Sequence, residues 1–126
     1  RLALDDAQVS TDEVDYISAH ATSTVAGDRE EAAAIRAIFA DRVPVSSCKG
    51  HLGHTLGASG ALESAAVLEM IRHGVILPTG NLEQVAEDCA GLNLPLAPVQ
   101  RQIKTALKNC IAFGGVNASL VFKMPA

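Results

Sequence analysis

The sequence predicts an α/β layered fold, on three observations. Apolar patterning switches along the chain in the order helix, strand, helix, strand, helix, strand, strand. Two polar stretches fall where strand-like runs end, which is where sheets of this class carry their sites. Two β-like runs close the chain as an antiparallel pair, joined by Ala112 to Asn117, a link too long for a two-residue hairpin. Such alternation buries strands on both faces beneath helices.

Residues 1–9 read as the end of a helix, with Leu2, Leu4 and Ala7 apolar. Ser10 caps a further helical turn through Glu13. Residues 14–19 read as a strand because Val14, Tyr16 and Ile17 favour extended backbone, and His20 stands where it ends. A hydroxyl-rich loop, Thr22-Ser23-Thr24, runs on to Gly27. Asp28, with Glu31 three residues later, predicts the next helix start in the manner of a capping box, and Ala32, Ile35, Ile38 and Phe39 form its apolar stripe to Ala40. Residues 43–46 form a short strand. Residues 47–57 are a loop, and residues 58–73 a small-residue helix packed tightly against backbone and stopped by Gly74. Residues 75–78 are extended and 81–96 irregular.

At 126 residues the chain is one domain, 1–126, large enough to bury about two thirds of its unfolded surface. Four aromatic residues leave the core aliphatic and alanine-rich. A net charge of −4 without a basic cluster argues against nucleic acid. No apolar run is long enough to span a membrane, and no signal peptide is visible. Cys48, Cys89 and Cys110 form no CxxC pair, which points to neither a disulfide framework nor a zinc site and suggests a reducing, cytoplasmic setting. The start at Arg1 suggests a piece of a longer protein.

The stretch Ser46 to Gly60 gathers Lys49, His51, His54 and four glycines, a mixture with no use in a core. With His20 it brings two imidazoles and an amine to strand ends. Neutral imidazoles donate N–H groups, and two aimed at one carbonyl oxygen would stabilise an enolate. A neighbouring lysine keeps them neutral by repulsion. Glu63, nine residues after His54, is placed to neutralise Lys49, and Gly114-Gly115 offers backbone N–H groups. Each residue also has a plain reading. A histidine at a strand end is commonly structural, a lysine is commonly solvated, and Gly57 and Gly60 can serve helix packing alone. His51 and His54 are half a metal site without its complement, and no GxSxG elbow occurs, so neither a metal nor any other cofactor is expected.

Three motifs resemble those of the β-ketoacyl-acyl carrier protein synthases, condensing enzymes of the thiolase superfamily. They are His20-Ala21-Thr22-Ser23-Thr24 with Gly27-Asp28, Lys49 through Gly60, and Asn109 through Asn117. The resemblance covers nearly the whole chain. It implies the C-terminal half of the duplicated αβαβα thiolase-like fold, here partial. It also implies decarboxylative Claisen condensation of a malonyl thioester with an acyl thioester, in fatty acid or polyketide synthesis. By it, His20 and His54 hold the malonyl thioester carbonyl, Lys49 orders the site and Glu63 pairs with Lys49. Thr22, Thr24, Phe113 and Gly114 line the substrate site, and the Ile111 N–H is an oxyanion donor. The implied partners are acyl carrier protein, an absent N-terminal half carrying the cysteine nucleophile, and a second full-length chain in a homodimer or heterodimer.

Several departures qualify the resemblance. None of the three cysteines stands at the nucleophile's position and the usual first strand is missing, so the isolated chain is expected to be inactive. Ile111-Ala112 replaces the usual Phe-Gly gate. Ala21 replaces a glycine, which is tolerable only at negative φ. The segments Gly27 to Glu31 and Ala90 to Asn93 lean towards discrete fatty-acid enzymes. The competing readings are a non-catalytic chain-length partner subunit and a remnant that associates through its sheet edge.

Overall fold

The computed structural model describes residues 1–125. Helix α1 (Leu2–Asp6) is followed by a capped turn at Thr11–Glu13, where the Glu13 carboxylate accepts from Ser10 N–H and Oγ at 2.9 and 3.0 Å. Strands β1 (Tyr16–Ser18) and β2 (Val45–Ser46) flank helix α2 (Val25–Phe39). A short helix α3 (Lys49–Leu52) and a turn at Leu56–Ala58 lead into α4 (Ser59–His73). A small antiparallel ribbon pairs β3 (Val75–Ile76) with β4 (Val99–Gln100), and β5 (Thr105–Ile111) and β6 (Asn117–Lys123) close the chain.

The main sheet has the order β2-β1-β5-β6. Strand β1 pairs in parallel with both β2 and β5, while β5 and β6 pair antiparallel along seven residues from Thr105↔Lys123 to Ile111↔Asn117. Period-two alternation splits the core into two layers. On one face Ile17, Leu107 and Val45 pack with Ile35 and Phe39 of α2 and Leu4 of α1. On the other, Tyr16 and Ala106 pack with Val67 and Met70 of α4 and with Ile103. Each fully buried large apolar side chain contributes about 1.5–3 kcal/mol.

The element order expected from the sequence holds, with physical corrections. Helix α2 begins at Val25, because Thr24 is extended (φ −108°, ψ 135°) and its carbonyl already accepts from Asp28 N–H at 2.9 Å. Asp28 therefore lies inside the first turn, and Glu31 is free for another task. The loop after β2 contains the helical turn α3, which its glycines concealed. Strand β6 is not buried on both faces: as the edge strand it is exposed over Asn117–Leu120. Helix α4 buries only the stripe Ser59, Glu63, Val67 and Met70, and a Cβ at Gly57 or Gly60 would meet nothing within 4 Å, so these glycines serve no packing here. Gly74 ends α4 in the left-handed conformation, as expected. Ala21 takes φ +27°, against the expected negative value. No helix among the described residues is long and apolar enough to cross a membrane.

Candidate active site

The parallel strands deliver their following residues to one end of the sheet, and the candidate residues lie there. His20 comes two residues after β1, Lys49 opens α3 after β2, and Asn109 to Ile111 end β5. The rings of His20 and His54 meet edge to face, with centroids 5.4 Å apart and planes at 88°. His20 is buried, and its Nδ1 has no hydrogen-bond partner. Burial first, and then the charge of Lys49, hold the His20 imidazole below its ordinary pKa, so it is neutral near pH 7. His54 Nδ1 lies 3.0 Å from Ser59 Oγ and accepts from Leu56 N–H at 3.4 Å, which leaves the proton on Nε2.

Beside this pair lies a buried charge cluster. Lys49 Nζ is 2.5 Å from Glu63 Oε1, with both side chains almost fully enclosed. Burial opposes the Glu63 carboxylate, yet Lys49 and Lys108 together hold its carboxyl below the usual range. Lys108 Nζ is 2.9 Å from Glu63 Oε2. Sequence reasoning missed Lys108. Its signal was position: a lysine two residues after the buried Ala106 must share that face of β5, towards α4.

Glu31 was also missed as a site residue. Its Oε1 accepts from His20 N–H at 3.0 Å and its Oε2 from Ala21 N–H at 2.8 Å, while Asn109 Nδ2 donates to Oε1 at 3.1 Å. Glu31 falls on the same stripe as Ile35 and Phe39, a pattern that marks it as inward-facing. The clamp holds Ala21 at its unfavourable φ and so aims the adjacent His20.

A segment far along the chain straps α3 in place. Asn81 Nδ2 donates to Gly50 O at 2.9 Å and His51 Nε2 lies 2.9 Å from Pro78 O, so His51 is structural. A Cβ on Gly50 would stand 2.2 Å from Gly80 O, a contact only glycine allows.

Of the remaining candidates, Thr22 and Ile111 line a cleft of about 620 Å³ together with His20 and Asn109, whereas Thr24, Phe113 and Gly114 do not. Thr22 and Thr24 share a hydroxyl contact at 3.1 Å. Phe113 is fully exposed on the β5–β6 turn, where Gly114 takes φ +81°. Nothing places Phe113 against the histidines. The cysteines are all free; burial, then Glu63, raises the pKa of the Cys48 thiol, which suits a packed residue rather than a nucleophile. No cluster of metal-ligating residues occurs among the described residues.

Comparison with known proteins identifies this architecture. The family profile described as beta-ketoacyl synthase, C-terminal domain, matches residues 1–83. The chain is 43% identical over 111 residues to 3-oxoacyl-[acyl-carrier-protein] synthase 1 of Escherichia coli (strain K12), a match covering 87% of this chain and 27% of that protein. It superposes on the crystal structure of a beta-ketoacyl synthase from Burkholderia phymatum STM815 with a TM-score of 0.94 and 40% identity, covering 99% of this chain and 31% of that one. It superposes equally, at 0.94 and 39% identity, on the ishigamide ketosynthase/chain length factor, covering 100% of this chain and 32% of that one. The chain thus spans less than a third of the length of each. Its α/β fold is the thiolase-like fold of the C-terminal condensing-enzyme domain.

Proposed function

The chain belongs to the β-ketoacyl synthase family, and from that premise we propose that residues 1–126 form the C-terminal part of an enzyme catalysing decarboxylative Claisen condensation. The observation that carries this reading is the edge-to-face meeting of His20 and His54 beside the Lys49–Glu63 pair. A malonyl thioester would bind with its carbonyl oxygen towards the imidazole N–H groups. Loss of carbon dioxide leaves the C–C bonding pair on the α-carbon, and the charge moves onto that oxygen. Donors already in place lower the barrier without reorganisation. The enolate carbon then attacks an acyl thioester, whose thiolate leaves. That thiolate would belong to a cysteine outside this chain, with the Ile111 N–H receiving the oxyanion and Thr22, Thr24, Phe113 and Gly114 bordering the substrate. Acyl carrier protein would bring the substrates to a dimer of full-length chains, in a reducing cytoplasm that suits three free cysteines.

Carbon dioxide release from radiolabelled malonyl-carrier protein, measured on the full-length protein, tests the reading. His20→Ala and His54→Ala should each lower the rate by about 10²–10³. Undiminished release in either variant rejects it. A second reading, a chain-length partner subunit, is favoured by one observation: Ile111, branched and stiff, lines the cleft where the family carries a mobile phenylalanine. A full-length protein with no nucleophilic cysteine would select it.

A further inference from the structure

We propose that Lys108 is a positioning residue for His20, acting through Glu63. A lysine only 1% exposed within a strand is unfavourable unless its charge is matched. Lys108 lies on β5 opposite Ser18 of β1. Its Nζ lies 2.9 Å from Glu63 Oε2 and donates to Asn109 O at 3.2 Å. The other oxygen of Glu63 faces Lys49 at 2.5 Å. One carboxylate therefore bridges two ammonium groups, one from the start of α3 and one from β5, and the buried cluster carries one net positive charge. Lys49 and Glu63 alone would be neutral.

The third charge has two consequences. It fixes the rotation of the carboxylate, so that Oε1 stays on Lys49. It also leaves a positive excess on the cluster of Lys49 and Glu63, both of which act on the His20 ring, and that excess opposes its protonation. The titratable groups acting on His20 are Lys49, Glu31, His54 and Glu63, and Lys108 reaches the ring only through Glu63. Those around Glu63 include Cys48 and Tyr16, which burial keeps protonated. Lys108 is thus the remaining group able to set the charge of the cluster. The role of His20 rests on the function proposed above, whereas the Lys108–Glu63 coupling does not.

The test uses Lys108→Met and Lys108→Arg in the full-length protein, with two readouts. Titration of His20 by NMR of 13C-labelled histidine should show its midpoint raised by about 0.5–1 pH unit in Lys108→Met and restored in Lys108→Arg. The acid limb of carbon dioxide release should move by the same amount. Lys108→Gln, polar but uncharged, should raise the midpoint equally and serves if the Met variant does not fold. An unmoved midpoint in a folded variant overturns the proposal even if the wild type decarboxylates. A moved midpoint in a protein that releases no carbon dioxide supports the coupling and rejects the catalytic reading instead.

Discussion

Glu31 and Glu63 are both buried glutamates, on helices that pack against opposite faces of one sheet, and they solve burial differently. Glu31, from α2, is surrounded by neutral donors: two consecutive backbone N–H groups and the amide of Asn109. Glu63, from α4, is held between two ammonium groups. Adjacent residues of β5 serve the two sides, Lys108 facing α4 and Asn109 facing α2. The first arrangement fixes geometry, because N–H donors constrain the backbone carrying His20. The second sets charge, because Lys49 and Glu63 both act on the His20 imidazole. Hydrogen bonds and ion pairs thus divide one task between them.

The sharpest way to break this contrast is to remove each carboxylate. Glu63→Gln leaves two buried ammoniums without a counter-charge and should destabilise the protein by about 3–5 kcal/mol in urea unfolding at neutral pH. Its pH dependence follows from the lowered carboxyl. The stabilisation is fully present above the ordinary value of 4.5 and is lost as pH falls through the lower folded value. Wild-type stability should therefore decline below about pH 4.5 and the variant's less steeply.

Glu31→Gln keeps one acceptor and removes no counter-charge, so a smaller loss of about 1–3 kcal/mol is expected in the same measurement. A loss equal to that of Glu63→Gln would erase the distinction between the two carboxylates. The smallest effect sharpens the geometric half. Ala21→Gly relieves the positive φ and should raise stability by about 0.5–1 kcal/mol, after the entropy lost with glycine. No gain would mean that the clamp holds an unstrained turn.

Much of the site was legible because its residues are chemically conspicuous. Histidine and lysine gathered with glycines at strand ends are an unusual mixture for a core, so His20, Lys49 and His54 stand out as candidates, with Glu63 nine residues after His54. Lys108 and Glu31 stayed hidden because each lies inside a regular element whose pattern absorbs it. Lys108 sits in a run read only for its β-forming neighbours, and Glu31 was taken as a capping residue. Only tertiary pairing reveals what either side chain touches. The order of elements followed from period changes and β3 falls within the stretch 75–78 read as extended, while β4 and α3 were too short to leave a pattern. The sign of φ at Ala21 was set by Glu31, ten residues away.

The glycine contact between residues 50 and 80 has a mechanical consequence. It cinches thirty residues into a noose whose knot lies beside Lys49, while Glu63 rides on the helix inside the loop. Lys49 stands next to the knot and Glu63 within the loop, so a disturbance there reaches both members of the ion pair. A bulkier side chain at either knot residue would slacken the whole arrangement without touching a charged atom.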